Sequence, residues 1–314
     1  MKRLALAPVL IAIAACSPAP AVTPVVAPPA EAAPPVQAPA IGMLEDRPGS
    51  TTGEPARFVV RMMFHKDGAG WKSLNPDCAD EACLASAPTR LPPTATWTIV
   101  YQGQTKGVVN AITPAAWKLY ADVGTQELAN GSLIRTVGDR TSEFSEDDST
   151  PLYRPLVAIS VPTVSDPDVW KSGALSPEAL TSLRVAFRAQ FATASNCATE
   201  GGSDLKPMTY TDANVAPSGV WVSAKGWSIA TTQLDGYRCD GPSEETAFAS
   251  HTFAISPDGK AKYLGESLKL VDAGDFDGDG KPEMIFAIAR GNTAGYDLYF
   301  DDFAGQATFA FNYH

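Results

Sequence analysis

Four acidic side chains fall within the nine residues Asp275-Phe276-Asp277-Gly278-Asp279-Gly280-Lys281-Pro282-Glu283. Carboxylates at alternate positions converge when the backbone turns tightly, and their mutual repulsion calls for a cation or water to screen it. Oxygen donors suit a hard ion, and no His or Cys lies in the loop to favour zinc or copper. Ca²⁺ is therefore the expected ion. Gly278 and Gly280 give the segment its turning freedom, and the backbone carbonyl of Lys281 is the natural central ligand. An EF-hand would need a bidentate Glu at the twelfth position, which counting from Asp275 is Phe286.

The loop resembles the calcium loop of FG-GAP and VCBS-type repeats, in which Asp-x-Asp-x-Asp-Gly-x-x-Asp joins two β-strands and the ninth residue is an acid. Here the ninth residue is Glu283, and the flanks Val271 to Gly274 and Met284 to Ile288 read as strands. The resemblance implies a ligand set of Asp275, Asp277, Asp279, the Lys281 carbonyl and Glu283, with a structural Ca²⁺ in a segment spanning 272–290. Two departures stand out. The loop occurs once, whereas integrin-like propellers repeat it, and its ninth residue is Glu in place of the commoner Asp. The resemblance covers about thirty residues and so identifies a site rather than a whole protein.

Catalytic signals are weaker. The three histidines, His65, His251 and His314, are accompanied by no Gly-x-Ser-x-Gly elbow, no His-Glu-x-x-His helix and no phosphate loop. Glu143, Glu146, Asp147 and Asp148 sit among Ser and Thr and read as a solvated acidic loop. Asp297, Asp301 and Asp302 follow the calcium loop, where returning strands could carry them toward an ion. Trp71, Trp170 and Trp221 do not by themselves establish a sugar-binding face. No catalytic residue is assigned.

At the N-terminus, Met1-Lys2-Arg3 and the apolar run Leu4 to Ala15 read as a secretory signal, too short to span a bilayer. Ile13-Ala14-Ala15-Cys16 resembles the bacterial lipobox, which implies cleavage before Cys16 and a diacylglycerol thioether on its sulfur. Ser17, where an Asp would favour inner-membrane retention, implies by the same analogy the outer membrane of a Gram-negative cell. From Ser17 to Ala40, sixteen of 24 residues are Pro or Ala, a composition that forms an extended tether rather than a core. The segment Ile41 to Glu54 continues as linker.

About 260 residues remain for a globular body over 55–314, enough for one large domain or two smaller ones with a sub-boundary near residue 200. The formal charge of −11 disfavours nucleic acid as a partner. Cys78, Cys83, Cys197 and Cys239 form an even set in an exported chain, expected as two disulfides. Three connectivities are open, and Cys78–Cys83 with Cys197–Cys239 is preferred because the first pair closes a short local loop.

Short β-rich runs separated by Gly, Pro, Asn and Asp dominate the body. Phe58 to Phe64 is one. Thr96 to Tyr101 leads through Gln102-Gly103 to Gly107-Val109 as a hairpin, and His251 to Ile255 leads through Asp258-Gly259 to Ala261-Gly265 as another. Further strands are expected over 220–222, 227–231, 268–271, 284–289, 296–300 and 308–312. Ser176-Pro177-Glu178 starts a helix over about 177–193, whose Leu180, Leu183, Phe187 and Phe191 form a core-facing stripe. A shorter helical turn is expected at Thr113-Pro114. The expected fold is mainly β, with antiparallel sheets and one or two short helices; a small or degenerate β-propeller is the alternative.

Two classes of function follow. One is a non-catalytic, lipid-anchored envelope protein whose calcium-stabilised β-domain binds a partner or supports envelope structure. The other is an envelope-anchored hydrolase of glycans or phosphoesters, for which no motif speaks.

Overall fold

The computed structural model describes residues 38–47, 57–76, 95–112, 124–129, 156–197, 205–234, 247–290 and 293–312. These all fall within the unit Gln37–His314. The signal segment, Cys16, the tether up to residue 37, Cys78, Cys83, Cys239, the turn at Thr113-Pro114, the acidic run of 143–148 and His314 lie outside the described residues.

The first sheet contains β1 (Ala40–Arg47), β2 (Arg57–Asp67), β3 (Gly70–Ser73), β4 (Thr96–Tyr101), β5 (Gln104–Asn110), β6 (Thr125–Glu127) and β7 (Leu156–Ile159). Its order is β3-β2-β1-β7-β4-β5, with β6 also paired to β2, and every pairing is antiparallel. Val59 to Phe64, Trp97 to Tyr101 and Leu156 to Ile159 are buried without alternation. Such runs suit strands covered on both faces, which is why they read as continuous apolar sequence.

The chain continues through the two-residue β8 (Lys171–Ser172), α1 (Pro177–Gln190), and a hairpin of β9 (Ala194–Cys197) with β10 (Leu205–Met208). A second sheet follows from β11 (Val215–Val222), β12 (Ser228–Leu234), β13 (His251–Ile255) and β14 (Ala261–Glu266), in the order β14-β13-β12-β11-β8. The last sheet is a meander of β15 (Leu268–Gly274), β16 (Glu283–Arg290), β17 (Thr293–Phe300) and β18 (Gly305–Asn312). The architecture is mainly antiparallel β with a single α-helix among the described residues. A propeller would repeat one four-stranded unit, whereas these sheets have seven, two, five and four strands.

α1 begins as its sequence dictates: the Ser176 hydroxyl accepts a hydrogen bond from Ala179 N at 3.2 Å, Pro177 occupies the first turn, and Glu178 adds a favourable charge there. Leu183 and Phe187 are its buried face. The helix stops at Gln190, three residues short of the expected end, because Ala194 onward pairs with β10. Phe191 closes it, donating its N–H to Phe187 O at 2.8 Å.

One hydrophobic core joins both ends of the described chain. Ile41, Met43, Val60, Trp97, Ile99 and Ile159 from the first sheet cluster with Val271, Phe276, Ile285, Leu298 and Phe309 from the last. A second core gathers Leu183 and Phe187 with Val215, Ala230, Phe253 and Ile255.

The structure differs from expectation at Ile41 to Glu54, whose first part is strand rather than linker. β1 lies between β2 and β7, with Ala40, Ile41 and Met43 fully buried. Gly42 belongs there because a Cβ at its position would come within 2.4 Å of Arg61 O, so only glycine lets the two strands approach at the register shift beside it. The Pro/Ala-rich run ends only at Ala40, and its composition masks the strand that starts there. No described helix is long and apolar enough to cross a membrane.

Candidate functional site: an acidic loop between two strands

The acidic loop joins β15 to β16, which pair with each other up to Gly274 opposite Glu283. Its entry is fixed by Asp275 N donating to Ser165 O at 2.7 Å, and by Phe276, whose ring is fully buried in the core shared by the first and last sheets. With Phe276 turned inward, the odd-numbered acids curl around the turn. Asp275 accepts from Gly278 N at 2.7 Å and Gly280 N at 3.0 Å, Asp277 from Asp279 N at 3.1 Å, and Asp279 from Lys281 N at 2.9 Å. Gly278 and Gly280 have φ of 81° and 86°, a region that L side chains rarely enter.

Oxygen atoms of Asp275, Asp277 and Glu283 all lie within 4.8 Å of one another. Glu283 is 2% exposed and accepts from Phe276 N at 2.7 Å, with Trp71 Nε1 at 3.4 Å from its other oxygen. Asp279, the third acid of the motif, stays about two-fifths exposed at the rim. The Lys281 side chain leaves the cluster for Asp301, at 2.7 Å. Of the three later acids, Asp301 therefore reaches the loop through Lys281, while Asp297 is buried and accepts from the Thr308 hydroxyl instead.

Two residues that sequence reasoning missed complete the site. Lys66 reaches across from the end of β2, where its ammonium bonds Asp277 and lies 3.7 Å from Asp279. It also sits 5.2 Å from the centre of the Trp71 ring, on β3. The only sequence signal for either was their place around a short turn, Asp67-Gly68-Ala69-Gly70, more than 200 residues away from the loop.

The electrostatics follow from crowding. Burial, reinforced by the charge of Asp277, pushes the Glu283 carboxyl up to about 8, against hydrogen bonds from Phe276 and Trp71 that favour its ionised form. For Lys66, burial alone would lower the ammonium, but its hydrogen bond to Asp277 and the charges of Asp277, Glu283 and Asp279 outweigh it and raise the group.

The donor set fits a hard divalent cation. All the converging atoms are carboxyl oxygens: those of Asp275 and Asp277 retain acceptor capacity because a carboxylate oxygen has two lone pairs and the loop amides use only one, while Glu283, with its carboxyl pushed up to about 8, would give up its proton to an arriving cation. The described histidines offer no competing chemistry. His65 is buried on β2, and His251 bonds the Tyr263 hydroxyl at 3.1 Å and lies 4.2 Å from the Phe191 ring, a packing role. Cys197 lies in β9, with its expected partner Cys239 outside the described residues. Comparisons with protein-family models, with curated proteins and with solved structures find no match.

Proposed function

We propose that this chain is a lipid-anchored cell-envelope protein whose β-rich domain binds a partner or supports envelope structure, with the loop of Asp275 to Glu283 taking Ca²⁺ as a fixture of the fold. The observation that carries the metal assignment is the convergence of Asp275, Asp277 and Glu283 oxygens within 4.8 Å. Bound there, Ca²⁺ would neutralise the clustered carboxylates and hold the β15–β16 turn rigid; Asp279 and the Lys281 carbonyl complete the proposed ligand set.

The loop's own residues are built for a static role. Phe276 anchors it in the core, Asp275 closes its backbone, and Lys66 and Trp71 tie it to the first sheet. We favour binding over hydrolysis because no Gly-x-Ser-x-Gly elbow, His-Glu-x-x-His helix or phosphate loop accompanies these carboxylates in the sequence. The anchor half of the proposal rests on the lipobox-like Ile13-Ala14-Ala15-Cys16 and the Pro/Ala-rich run behind it, and Ser17, where an Asp would favour inner-membrane retention, implies by analogy the outer membrane of a Gram-negative cell. Exported location favours continuous occupancy, since even a weak site fills at extracytoplasmic calcium levels.

The test is thermal unfolding of the full chain in calcium and in chelator. Wild type is expected to melt higher in calcium, whereas Asp277→Ala melts lower in calcium and loses its response to chelator. Identical wild-type melting in both buffers would remove the metal from the proposal. Labelling of the expressed protein with a radioactive fatty acid, lost in Cys16→Ser, checks the anchor separately.

A further inference from the structure

A second concave site lies away from the acid cluster. It is a cleft of about 510 Å³ between the β4–β5 turn, the segment before β8, β11 and β15, within the roughly 300–1,000 Å³ range of small-ligand pockets. Trp221 and Leu270 also line a second hollow of about 250 Å³ reaching Ser218, Thr231 and Lys269, so the two hollows adjoin at these side chains, and together they are called the groove.

We propose that this groove binds a neutral oligosaccharide, with the Trp170 and Trp221 indoles against sugar-ring faces and Gln102, Gln104, Ser172 and Ser218 on the hydroxyls.

The floor is rigid and already satisfied. Asp272 accepts from Gln102 N at 2.8 Å, Gly103 N at 3.0 Å and Ala273 N at 2.9 Å. Asp166 accepts from the N–H groups of Asp168, Val169 and Trp170 at 3.1, 2.8 and 2.7 Å. Gly103 is wedged between them at φ +65°, where a Cβ would come within 2.5 Å of Asp166 Cβ and 3.2 Å of Ala273 O. Three amides on each carboxylate use most of its acceptor sites and fix both side chains as parts of the floor.

Strain marks the rim. Val169 holds φ of 52° while 56% exposed, an outlier for a β-branched side chain that the Asp166 hydrogen bonds keep in place. It sets the adjacent Trp170, half-buried, at the cleft wall. Trp221 is half-buried on β11. A flat, partly exposed indole offers an apolar face to the C–H surface of a pyranose, while neutral amides and hydroxyls both donate and accept, as sugar hydroxyls do.

Other ligands fit less well. The formal charge of −11 repels polyanions at long range. A peptide adding as a strand would need an open edge, but at β15 Leu268 O already accepts from the Thr252 hydroxyl and Ala273 N is held by Asp272, while β8 has only two residues. Two adjoining hollows match several linked units better than one.

This assignment deepens the binding half of the proposed function and does not depend on the ion. The test is calorimetric and tryptophan-fluorescence titration of the full chain with neutral oligosaccharides of two to six units, in β-1,4-glucose, α-1,4-glucose and β-1,4-N-acetylglucosamine series, in calcium and in chelator. At least one series is expected to bind, tightening tenfold or more between two and four units. Trp221→Ala should weaken that binding at least tenfold, and the exposed-site variants Gln104→Ala and Ser172→Ala a few-fold each; these two carry the test should Trp221→Ala fail to fold. Absence of binding in every series, or binding that all three variants leave intact, overturns the proposal. Calcium-dependent melting is read in the same samples, so failure of the loop and failure of the groove are told apart.

Discussion

Lys66 changes how the acidic loop should be read. A loop of four carboxylates looks in sequence like a site defined only by repulsion, yet an ammonium from β2 already compensates part of it. At the proposed calcium site, Lys66 and an arriving cation would therefore compete for Asp277. Replacing Lys66 by Met keeps the stem against Trp71 and removes the charge, leaving a carboxylate with 3% side-chain exposure without its ion pair. The metal-free protein should lose about 1–3 kcal/mol, and the gap in melting temperature between calcium and chelator should widen; an unchanged gap would show that Lys66 and the ion do not share Asp277. The motif residues themselves were legible because an acid at every second place with intervening glycines is a local pattern. Lys66 and Trp71 were not, because nothing local connects a hairpin at 66–71 with a loop at 275–283. His65, beside Lys66, makes a separate prediction. Burial holds its imidazole below the usual 6.5, with Lys72 adding to that effect and Asp67 and a backbone hydrogen bond at Lys66 opposing it. The fold thus favours the neutral ring. Its stability contribution is fully present above about pH 6.5 and is lost as pH falls, since the unfolded chain then takes a proton that the fold resists, at a slope of at most about 1.4 kcal/mol per pH unit. Urea unfolding of wild type and His65→Gln from pH 7.5 to 5.5 should show the wild-type advantage shrinking toward acid; a constant difference would mean that His65 does not titrate between the states.

At the scale of elements, what the sequence made visible depended on where each strand's partner lies. The β4–β5 and β13–β14 hairpins were readable because two apolar runs flank a two-residue Gln102-Gly103 turn and an Asp258-Gly259 turn. The start of α1 was readable because Ser176, Pro177 and Glu178 are a local signal, whereas its end was not, being set by pairing of β9 with β10. β1 and β7 escaped notice for the same reason on a larger scale. Each lies next to proline-containing sequence, and each is held on one side by the other across more than a hundred residues, with β2 on the far side of β1 and β4 on the far side of β7. Long-range ties of another kind fix the β4–β5 turn, where Gln102 and Gly103 both have positive φ and donate their N–H groups to Asp272 of β15. Asp272→Ala leaves these donors without their acceptor, at a cost of about 1–3 kcal/mol. Hydrogen exchange at Gln102 and Gly103 should accelerate at least tenfold while the amides of α1 keep their protection. Equal acceleration in both regions would mean that the substitution weakens the whole fold rather than the turn.

On the scale of the whole molecule, the first and last sheets are halves of one core. Trp97 and Ile99 of β4 belong to the same cluster as Phe276, Ile285 and Phe309, while the helix and second sheet close a core of their own around Phe187 and Phe253. The acidic loop sits at the seam, with Phe276 inside the shared core and Lys66 and Trp71 reaching it from the opposite sheet. Stiffening the loop therefore stiffens the join between residues near the two ends of the body, which would give the proposed structural ion a purpose without any switch. It also means that the first sheet should not stand alone. A chain ending at Glu266 keeps β1 to β14 yet strips the apolar cover from the first sheet, uncovering side chains such as Trp97 and Ile99 that are fully buried in the intact chain. Burying each large apolar side chain is worth about 1.5–3 kcal/mol, and several lost together exceed the 5–15 kcal/mol that stabilises a typical domain. The truncated chain is expected to lose its near-ultraviolet circular dichroism and to bind a hydrophobic dye, whereas Phe276→Ala in the full chain should lower stability by about 3–5 kcal/mol and leave a single cooperative transition. A truncated chain that melts cooperatively with native near-ultraviolet signal would show that the first sheet folds independently, and the loop would then brace two domains rather than close one core.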